Sequence, residues 1–377
     1  MVVKLYMDWV KKIKAGWRLI RNKVKALKLN LYRKVYDKRL QEIDFEPSKI
    51  KSVLLLRWDN KLGDAIMCGS FIKLLRQYRP DIQITVLTGT TTKLWIEKAA
   101  PADDYIIYTK AKRKQIITDN KRKFDLFVDL GTNCSHKDLC LASQFKAKHY
   151  LGFNKQHYHL FDVEVAPQYV HFKERYIAAA KLLISQPIDE QCPLPIPEFS
   201  QQRFELQQFI NQVQQKFSHI VGVNLFGSSK YRRFSLEHAK ALIFQWRQQF
   251  PDDLLVIIPT PGEEKFIKRL IAIVNDKMVI SPNFPASFEV SLAIIDIADF
   301  TFTPDTAVVH MASALNKPVI GIYRYNMQNY EEWKPVGKYS QRLLNRKPFS
   351  ENDSVHVHEF DWQDLVLARA TILKALA

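Results

Sequence analysis

Glycine is scarce in this sequence, with eleven in 377 residues, so long flexible linkers are not expected. Cysteine is scarcer still. Cys68, Cys134, Cys140 and Cys192 show no CxxC pair and no zinc-like spacing. That excludes a disulfide framework and points to reduced, partly buried thiols of a cytosolic protein. No run of 18 apolar residues occurs, so no membrane-spanning helix is expected. The first ten residues lack a continuous apolar core, so a secretory leader is not expected either. Neither a GxGxxG fingerprint nor a GK[ST] Walker loop is present, which removes the main support for dinucleotide oxidoreductase and NTPase readings. There is no repeat of solenoid period and no low-complexity segment.

What is present suits a globular protein of two domains. Apolar residues make up 47% and aromatic residues 12% of a chain too long for one typical domain. The net charge of +17 is concentrated at one end. Residues 1–39 hold thirteen Lys and Arg against Asp8 and Asp37, which is +11 of the total. In the same segment Trp9, Ile13, Trp17, Ile20, Val24, Leu27, Leu31 and Val35 recur every three or four residues, the period of one helical face. A basic amphipathic helix with Trp on its apolar side suits the interface of an anionic membrane. A stripe that packs on the protein itself is the plain alternative. The charge alone also permits nucleic-acid binding, but no reader motif accompanies it, so nucleic acid is not expected as a partner.

After Glu46-Pro47-Ser48 the pattern changes. Ser52–Arg57 is a continuous apolar run of the kind found in a parallel strand covered on both faces. Helical periodicity follows over Ala65–Tyr78, then strand-length apolar runs at Ile82–Thr88, Tyr105–Tyr108, Phe124–Leu130 and Lys148–Phe153. Pro-rich Cys192–Pro197 reads as a stiff junction, after which the rhythm restarts. Strands are expected at Ile220–Leu225, Leu254–Pro259, Lys277–Ser281, Asp299–Thr303 and Pro318–Tyr323, with a closing helix from Trp362 to Leu376. Strand and helix in alternation argue for two α/β halves, each a parallel sheet covered on both faces. The organisation expected is a helical extension over 1–46, a first Rossmann-like domain over 47–195, a second over 196–350, and a final segment over 351–377.

Ligands of such sheets bind beyond the carboxyl ends of the strands, and four polar turns fall there. Lys61-Leu-Gly63-Asp64 follows the first strand; Gly63 permits close backbone approach, and Asp64 is either a helix cap or a general base. Gly227-Ser228-Ser229-Lys230-Tyr231-Arg232-Arg233 opens the second half with hydroxyls and cations suited to a diphosphate. Pro261-Gly-Glu263-Glu264 offers a carboxylate for ribose hydroxyls, although a helix start favours Glu in any case. Asp305-Thr306, either of which can cap a helix, is followed one turn later by His310. One candidate base in one half and three ligand turns in the other fit a two-substrate transferase better than a hydrolase.

These turns resemble glycosyltransferase family 9, the ADP-heptose:lipopolysaccharide heptosyltransferases, over about residues 50 to 325. The family pattern N-P-G-A-S-x-x-x-K-R-W-P lies without gaps over Asn224–Ser235, and D-T-G-x-x-H-x-A-A-A-L-x-K-P over Asp305–Pro318. The resemblance implies a GT-B architecture, with acceptor bound by the first half, nucleotide-sugar by the second, and residues 351–377 packing back on the first domain. It implies no cofactor and no metal. Carried over by position, Asp64 is the catalytic base of an inverting transfer, flanked by Gly63 and Lys61 on the acceptor side. Arg232 and Ser228 contact the diphosphate, Glu263 holds the nucleoside, and Asp305, Thr306, Ala307 and His310 surround the donor sugar and phosphates. Arg232 stands where the family usually has Lys, so Arg233 or Lys230, next to Ser229, remains an alternative operative cation. Ala307 replaces a Gly, and the Arg57–Asp64 loop is about one residue longer than usual.

The expected function is transfer of heptose or a similar sugar, from ADP-heptose or another nucleotide-sugar, to an anionic lipid-linked core oligosaccharide. The place expected for it is the cytoplasmic face of a bacterial inner membrane, contacted through residues 1–39. A non-catalytic nucleotide-sugar-binding protein is the rival from another class, a basic nucleic-acid-binding protein the weaker one. The loop Lys110–Lys123, with seven Lys and Arg, is either an attractor of the anionic acceptor or a solvated loop. His157-Tyr-His159 has no neighbouring carboxylate or cysteine pattern that would make it a metal site.

Overall fold

A computed structural model describes residues 2–39, 44–350 and 353–376; within the first helix it describes side chains at 13, 16 and 17 and from 20 onward. The strands of the first half are β1 (Ser52–Arg57), β2 (Gln83–Thr88), β3 (Asp104–Ile107), β4 (Leu126–Asp129), β5 (His149–Phe153) and β6 (Val163–Val165). Those of the second are β7 (His219–Val223), β8 (Asp253–Ile257), β9 (Val279–Ile280), β10 (Phe300–Pro304), β11 (Val319–Tyr323) and β12 (Ser340–Leu344). Helix α1 (Val2–Tyr36) precedes the first sheet. Around that sheet lie α2 (Leu62–Tyr78), α3 (Thr90–Ala99), α4 (Arg113–Asn120), α5 (His136–Phe145) and α6 (Phe172–Lys181). The second half adds α7 (Ser200–Asn211), α8 (Leu236–Gln249), α9 (Glu264–Val274), α10 (Phe288–Ile297), α11 (Ala307–Ala314), α12 (Met327–Trp333) and α13 (Trp362–Leu376).

Both sheets are parallel throughout, and both have the same topology. The first runs β3-β2-β1-β4-β5-β6 and the second β9-β8-β7-β10-β11-β12. Each chain therefore starts mid-sheet, builds outward, then crosses back to the other side of its first strand. The crevice at that reversal, between β1 and β4 and between β7 and β10, is where ligands of doubly wound sheets bind. Central strands such as Val53–Leu56 are buried on both faces, which is why they read as unbroken apolar runs. The two strands that left no such run, β6 and β12, are sheet edges: one has three residues, and the other reads Ser-Gln-Arg-Leu-Leu.

One apolar core runs from the first half into the second, joining residues of α2 such as Phe71 to Leu292 of α10 and Val309 of α11. Across this seam Trp95 meets Phe288 edge-on and Phe172 stacks on Trp333 at 3.9 Å. Buried Arg175 lies over the Phe153 and Phe172 rings and reaches Glu332 at 3.2 Å, while Thr132 donates to the same carboxylate. The Cys192–Pro197 junction is packed rather than loose: a Cβ on Gly69 would lie 2.5 Å from Pro195 Cγ. All four cysteines are buried and unpaired.

The closing helix corrects one expectation. Rather than return to the first half, α13 packs on the second sheet, with Leu365, Ala368 and Ile372 in the core that contains Trp246 and Phe302. Charge explains the choice. Asp253 is fully buried, and Arg369 neutralises it with bonds of 2.6 and 2.9 Å to its two oxygens.

Among the described residues, helix α1 is attached near its end. Arg33 donates to the His157 carbonyl and lies 4.9 Å from the Tyr158 ring, and Asp37 accepts from the Leu160 amide at 2.9 Å. His157-Tyr158 is thus a docking point for α1. Among the described residues the apolar stripe does not pack on the protein: Trp17 and Leu27 are each 68% exposed, Leu31 61% and Val35 57%. Trp9 lies outside the described side chains.

Candidate active site

The reversals of the two sheets open on one cleft of about 840 Å³. Lys61, Gly63 and Asp64 line it from the first half. Ser228, Arg232, Arg233, Glu263, Asp305, Thr306, Ala307 and His310 line it from the second. Ser229 and Lys230 do not. The Ser229 hydroxyl is buried without a partner, and Lys230 is exposed with its ammonium 5.0 Å from the Tyr231 ring.

Asp64 sits in the first turn of α2 but caps nothing there. Its Oδ1 accepts from Arg57 Nη1 at 2.5 Å, and the pair is largely buried. Its second oxygen has no hydrogen-bond partner among the described residues. Burial pushes the Asp64 carboxyl above its ordinary value, against the pull of Arg57, which lowers it. Poor solvation and an oxygen without a partner suit a proton acceptor. Arg57 was not legible as a site residue, because it closes an apolar run and reads as the end of a strand.

Gly63 has a steric reason to be glycine. A Cβ there would stand 2.9 Å from Cδ2 of His310, so the turn carrying Asp64 touches α11 directly. His310 is buried at that contact. Burial lowers its imidazole to about 3, with His171 adding a smaller push in the same direction. It is neutral at pH 7, and its Nδ1 is buried without a partner.

On the other wall the cap of α11 is Thr306, whose hydroxyl accepts from the Val308 amide at 3.3 Å and from Asn224 Nδ2 at 3.1 Å. Asp305, freed from capping, faces Arg232 at 3.5 Å; burial raises its carboxyl although Arg232 pulls it down. Arg232 donates to the Asp305 carbonyl at 2.8 Å and to Ser228 Oγ at 2.9 Å. Gly227 permits this fold-back, since a Cβ there would lie 2.5 Å from the Arg232 carbonyl. Arg233 is bound differently, with both guanidinium ends on the Glu263 carboxylate. Of the three candidate cations, Arg232 alone lies in the cleft without a bidentate carboxylate partner. A cleft with a buried carboxylate on one wall, and hydroxyls, a guanidinium and a helix start on the other, suits transfer from an anionic donor to a hydroxyl.

Comparison with known proteins settles the class. The model of glycosyltransferase family 9 (heptosyltransferase) matches residues 120–356. The chain belongs to glycosyltransferase family 9. It is therefore a glycosyltransferase, and its two facing parallel sheets are the GT-B architecture of that class. Among curated proteins, "putative lipopolysaccharide heptosyltransferase 4" of Escherichia coli (strain K12) is 23% identical over 313 residues, which cover 80% of this chain and 82% of the relative. Among solved structures, E. coli ADP-heptose lps heptosyltransferase II superposes with a TM-score of 0.62 at 17% identity, over 86% of this chain and all of that one. E. coli heptosyltransferase WaaC with ADP-2-deoxy-2-fluoro heptose superposes with a TM-score of 0.56 at 18% identity and the same coverage. At these identities the superpositions speak for the fold.

Proposed function

We propose that this family 9 glycosyltransferase moves heptose from ADP-heptose to a lipopolysaccharide core acceptor, with Asp64 as general base. The observation that carries the reading is the facing of Asp64, which has one oxygen without a partner, and the Ser228, Arg232 and Thr306 group across a single cleft. In this scheme Asp64 takes the proton of the acceptor hydroxyl as that oxygen attacks the anomeric carbon from the face opposite the leaving group. The C–O bond to the diphosphate breaks, and its charge is received by the Arg232 guanidinium and the N-terminus of α11. Lys61 and Gly63 border the acceptor, Glu263 the nucleoside, and Asp305, Ala307 and His310 the donor sugar. The ADP-sugar in the solved WaaC structure supports an adenine nucleotide as donor carrier.

The place of work is proposed to be the cytoplasmic face of the inner membrane. No helix among the described residues is long and apolar enough to cross a membrane. What supports surface attachment is α1, whose basic sequence and exposed Trp17, Leu27 and Leu31 suit an anionic interface.

Two measurements test the proposal together. Thermal unfolding with ADP, ADP-heptose, UDP and UDP-sugars should show selective stabilisation by the ADP species, about 2.7 kcal/mol at 100 times the dissociation constant. Asp64→Asn should lower transfer by roughly 10²- to 10⁴-fold while donor affinity is kept. Full activity in that variant would sink the assignment of the base; stabilisation by UDP species alone would change the donor.

A further inference from the structure

A second groove, of about 830 Å³, shares no lining residue with the cleft. It lies between the end of α1, the segment entering α4, and the C-terminal end of α5. Lys38, Lys110, Arg113, Lys114, Lys121 and Lys146 line it, and no carboxylate does. Among the described residues none of these six cations is in an ion pair. Arg113 donates to neutral groups only, Gln144 Oε1 at 3.0 Å and Cys140 Sγ at 3.0 Å. Asp119, the acid of α4, accepts from Gln115 with both oxygens. Nearby lysines outside the groove behave otherwise: Lys148 pairs with Asp125 at 2.8 Å and Lys51 with Asp81 at 2.7 Å. Six uncompensated cations around one concavity repel one another and focus positive potential into it. A phosphate relieves that repulsion, since Lys supplies point charges and Arg a fork matched to its oxygens.

The groove is continuous with the exposed stripe of α1. Leu27, Leu31 and Val35 follow one another at intervals of four on one face, and Val35 itself lines the groove. A helix lying with that face at the acyl boundary holds its flanking cations at headgroup level. We propose that the groove receives the phosphate headgroup of an anionic membrane lipid, so that α1 and the α4–α5 corner form one attachment surface. This rests on the reading that α1 lies on a membrane and adds a defined headgroup site to it.

The test is sedimentation of the full chain with vesicles of phosphatidylcholine, alone or with phosphatidic acid or phosphatidylglycerol at matched charge. The probe variant is Lys110→Ala/Lys114→Ala/Lys121→Ala, all exposed and none of them lining the transfer cleft. The control is Lys216→Ala/Lys240→Ala/Lys268→Ala, which removes the same charge from the second half. The wild type should bind anionic vesicles in preference to neutral ones. The groove variant should weaken that binding roughly 10- to 100-fold, on the scale of about a few-fold per lysine near an anionic surface. Its unfolding midpoint and its transfer to a water-soluble acceptor should be unchanged, and the control variant should bind like the wild type. Equal binding by the groove variant and the wild type would overturn the headgroup site and leave the membrane reading standing. Equal weakening in the control would overturn it too, by showing bulk charge at work. No binding of the wild type to any anionic vesicle would overturn both. Stabilisation by inorganic phosphate or pyrophosphate that the groove variant loses, with vesicle binding unaltered, would replace the lipid by a soluble phosphate and so overturn the proposal.

Discussion

The two halves share one topology and differ at the same place in it. At the reversal of the first sheet the charge lining the cleft wall is a carboxylate, and one buried cation holds it: Asp64 on Arg57 at 2.5 Å. At the reversal of the second, cations line the wall and carboxylates hold them: Arg232 beside Asp305 and Arg233 on Glu263. The depth differs as well. Arg57 is buried, whereas Arg232 is about one-third and Arg233 two-fifths exposed at the side chain. A buried pair keeps its geometry because breaking it leaves an unpaired charge in low dielectric. A half-exposed pair exchanges partners at little cost, because water screens it. On the proposed mechanism, one scaffold thus supplies a fixed proton acceptor and an adaptable phosphate receiver.

Removing the fixed partner should have the largest effect. Arg57→Ala leaves the buried Asp64 carboxylate without its ion-pair partner and should cost about 3–5 kcal/mol of stability, read by denaturant unfolding. It should also change the pH profile in a direction that follows from the pair. Burial already raises the Asp64 carboxyl, and Arg57 opposes that rise. Without the guanidinium the carboxyl rises further, and the base is protonated over a wider acid range. The acid limb of kcat/KM should therefore move to higher pH in this variant. Arg57→Lys should restore the limb in part; an unmoved limb in Arg57→Ala would mean that Asp64 is not the titrating base.

On the adaptable side, Arg232→Ala should slow transfer roughly 10²- to 10³-fold, the scale for loss of one preorganised donor, or about 2.7–4 kcal/mol. Ser228 and Asp305 hold Arg232 in place, so Arg232→Lys should recover only part of the rate. Single-turnover rates at saturating donor separate this from weaker donor binding. An effect confined to donor affinity would make Arg232 a binding residue only.

What was legible in the sequence, and what was not, follows from where information is local. Strands covered on both faces announce themselves, so Ser52–Arg57 reads with its boundaries correct, while edge strands such as Val163–Val165 pass unnoticed. The polar turns at strand ends are local too, and most of their residues line the cleft. Partnerships are not local. Nothing near Arg233 shows that it will clasp Glu263, thirty positions on, and nothing near Arg369 shows that Asp253 is waiting for it. The direction of a side chain within a turn is equally silent, which is why Lys230 reads like Arg232 in sequence and faces elsewhere in the fold.

The seam between the halves should respond to acid more mildly. His310 and His171 are buried there, lowered by burial to about 3 and about 4 from an ordinary 6.5. Below about 6.5 the unfolded chain takes up protons that the folded chain refuses. Their contribution is therefore full above 6.5 and declines as the pH falls toward the folded values, by about 1.4 kcal/mol per pH unit for each histidine. Unfolding midpoints measured from pH 7 to 5 should fall, and His310→Gln should flatten the fall by about half. An unchanged slope in that variant would place the acid sensitivity outside the seam.

The smallest effect separates neighbours within one turn. Lys230 and Arg232 are two residues apart, both cationic, and both were open as the cation that receives the diphosphate. Lys230 lies outside the cleft against Tyr231, and no carboxylate or carbonyl holds it among the described residues. Lys230→Ala therefore removes an exposed charge and a packed stem, and should change stability by less than about 0.5 kcal/mol and transfer by less than about threefold. Salt dependence sharpens the contrast. A remote, screened charge acts on donor encounter, so the small effect of Lys230→Ala should vanish at high ionic strength, whereas that of Arg232→Ala should persist because its contact lies inside the cleft. A large, salt-resistant loss in Lys230→Ala would mean that the turn swings when donor binds, and would move the phosphate receiver from Arg232 to Lys230.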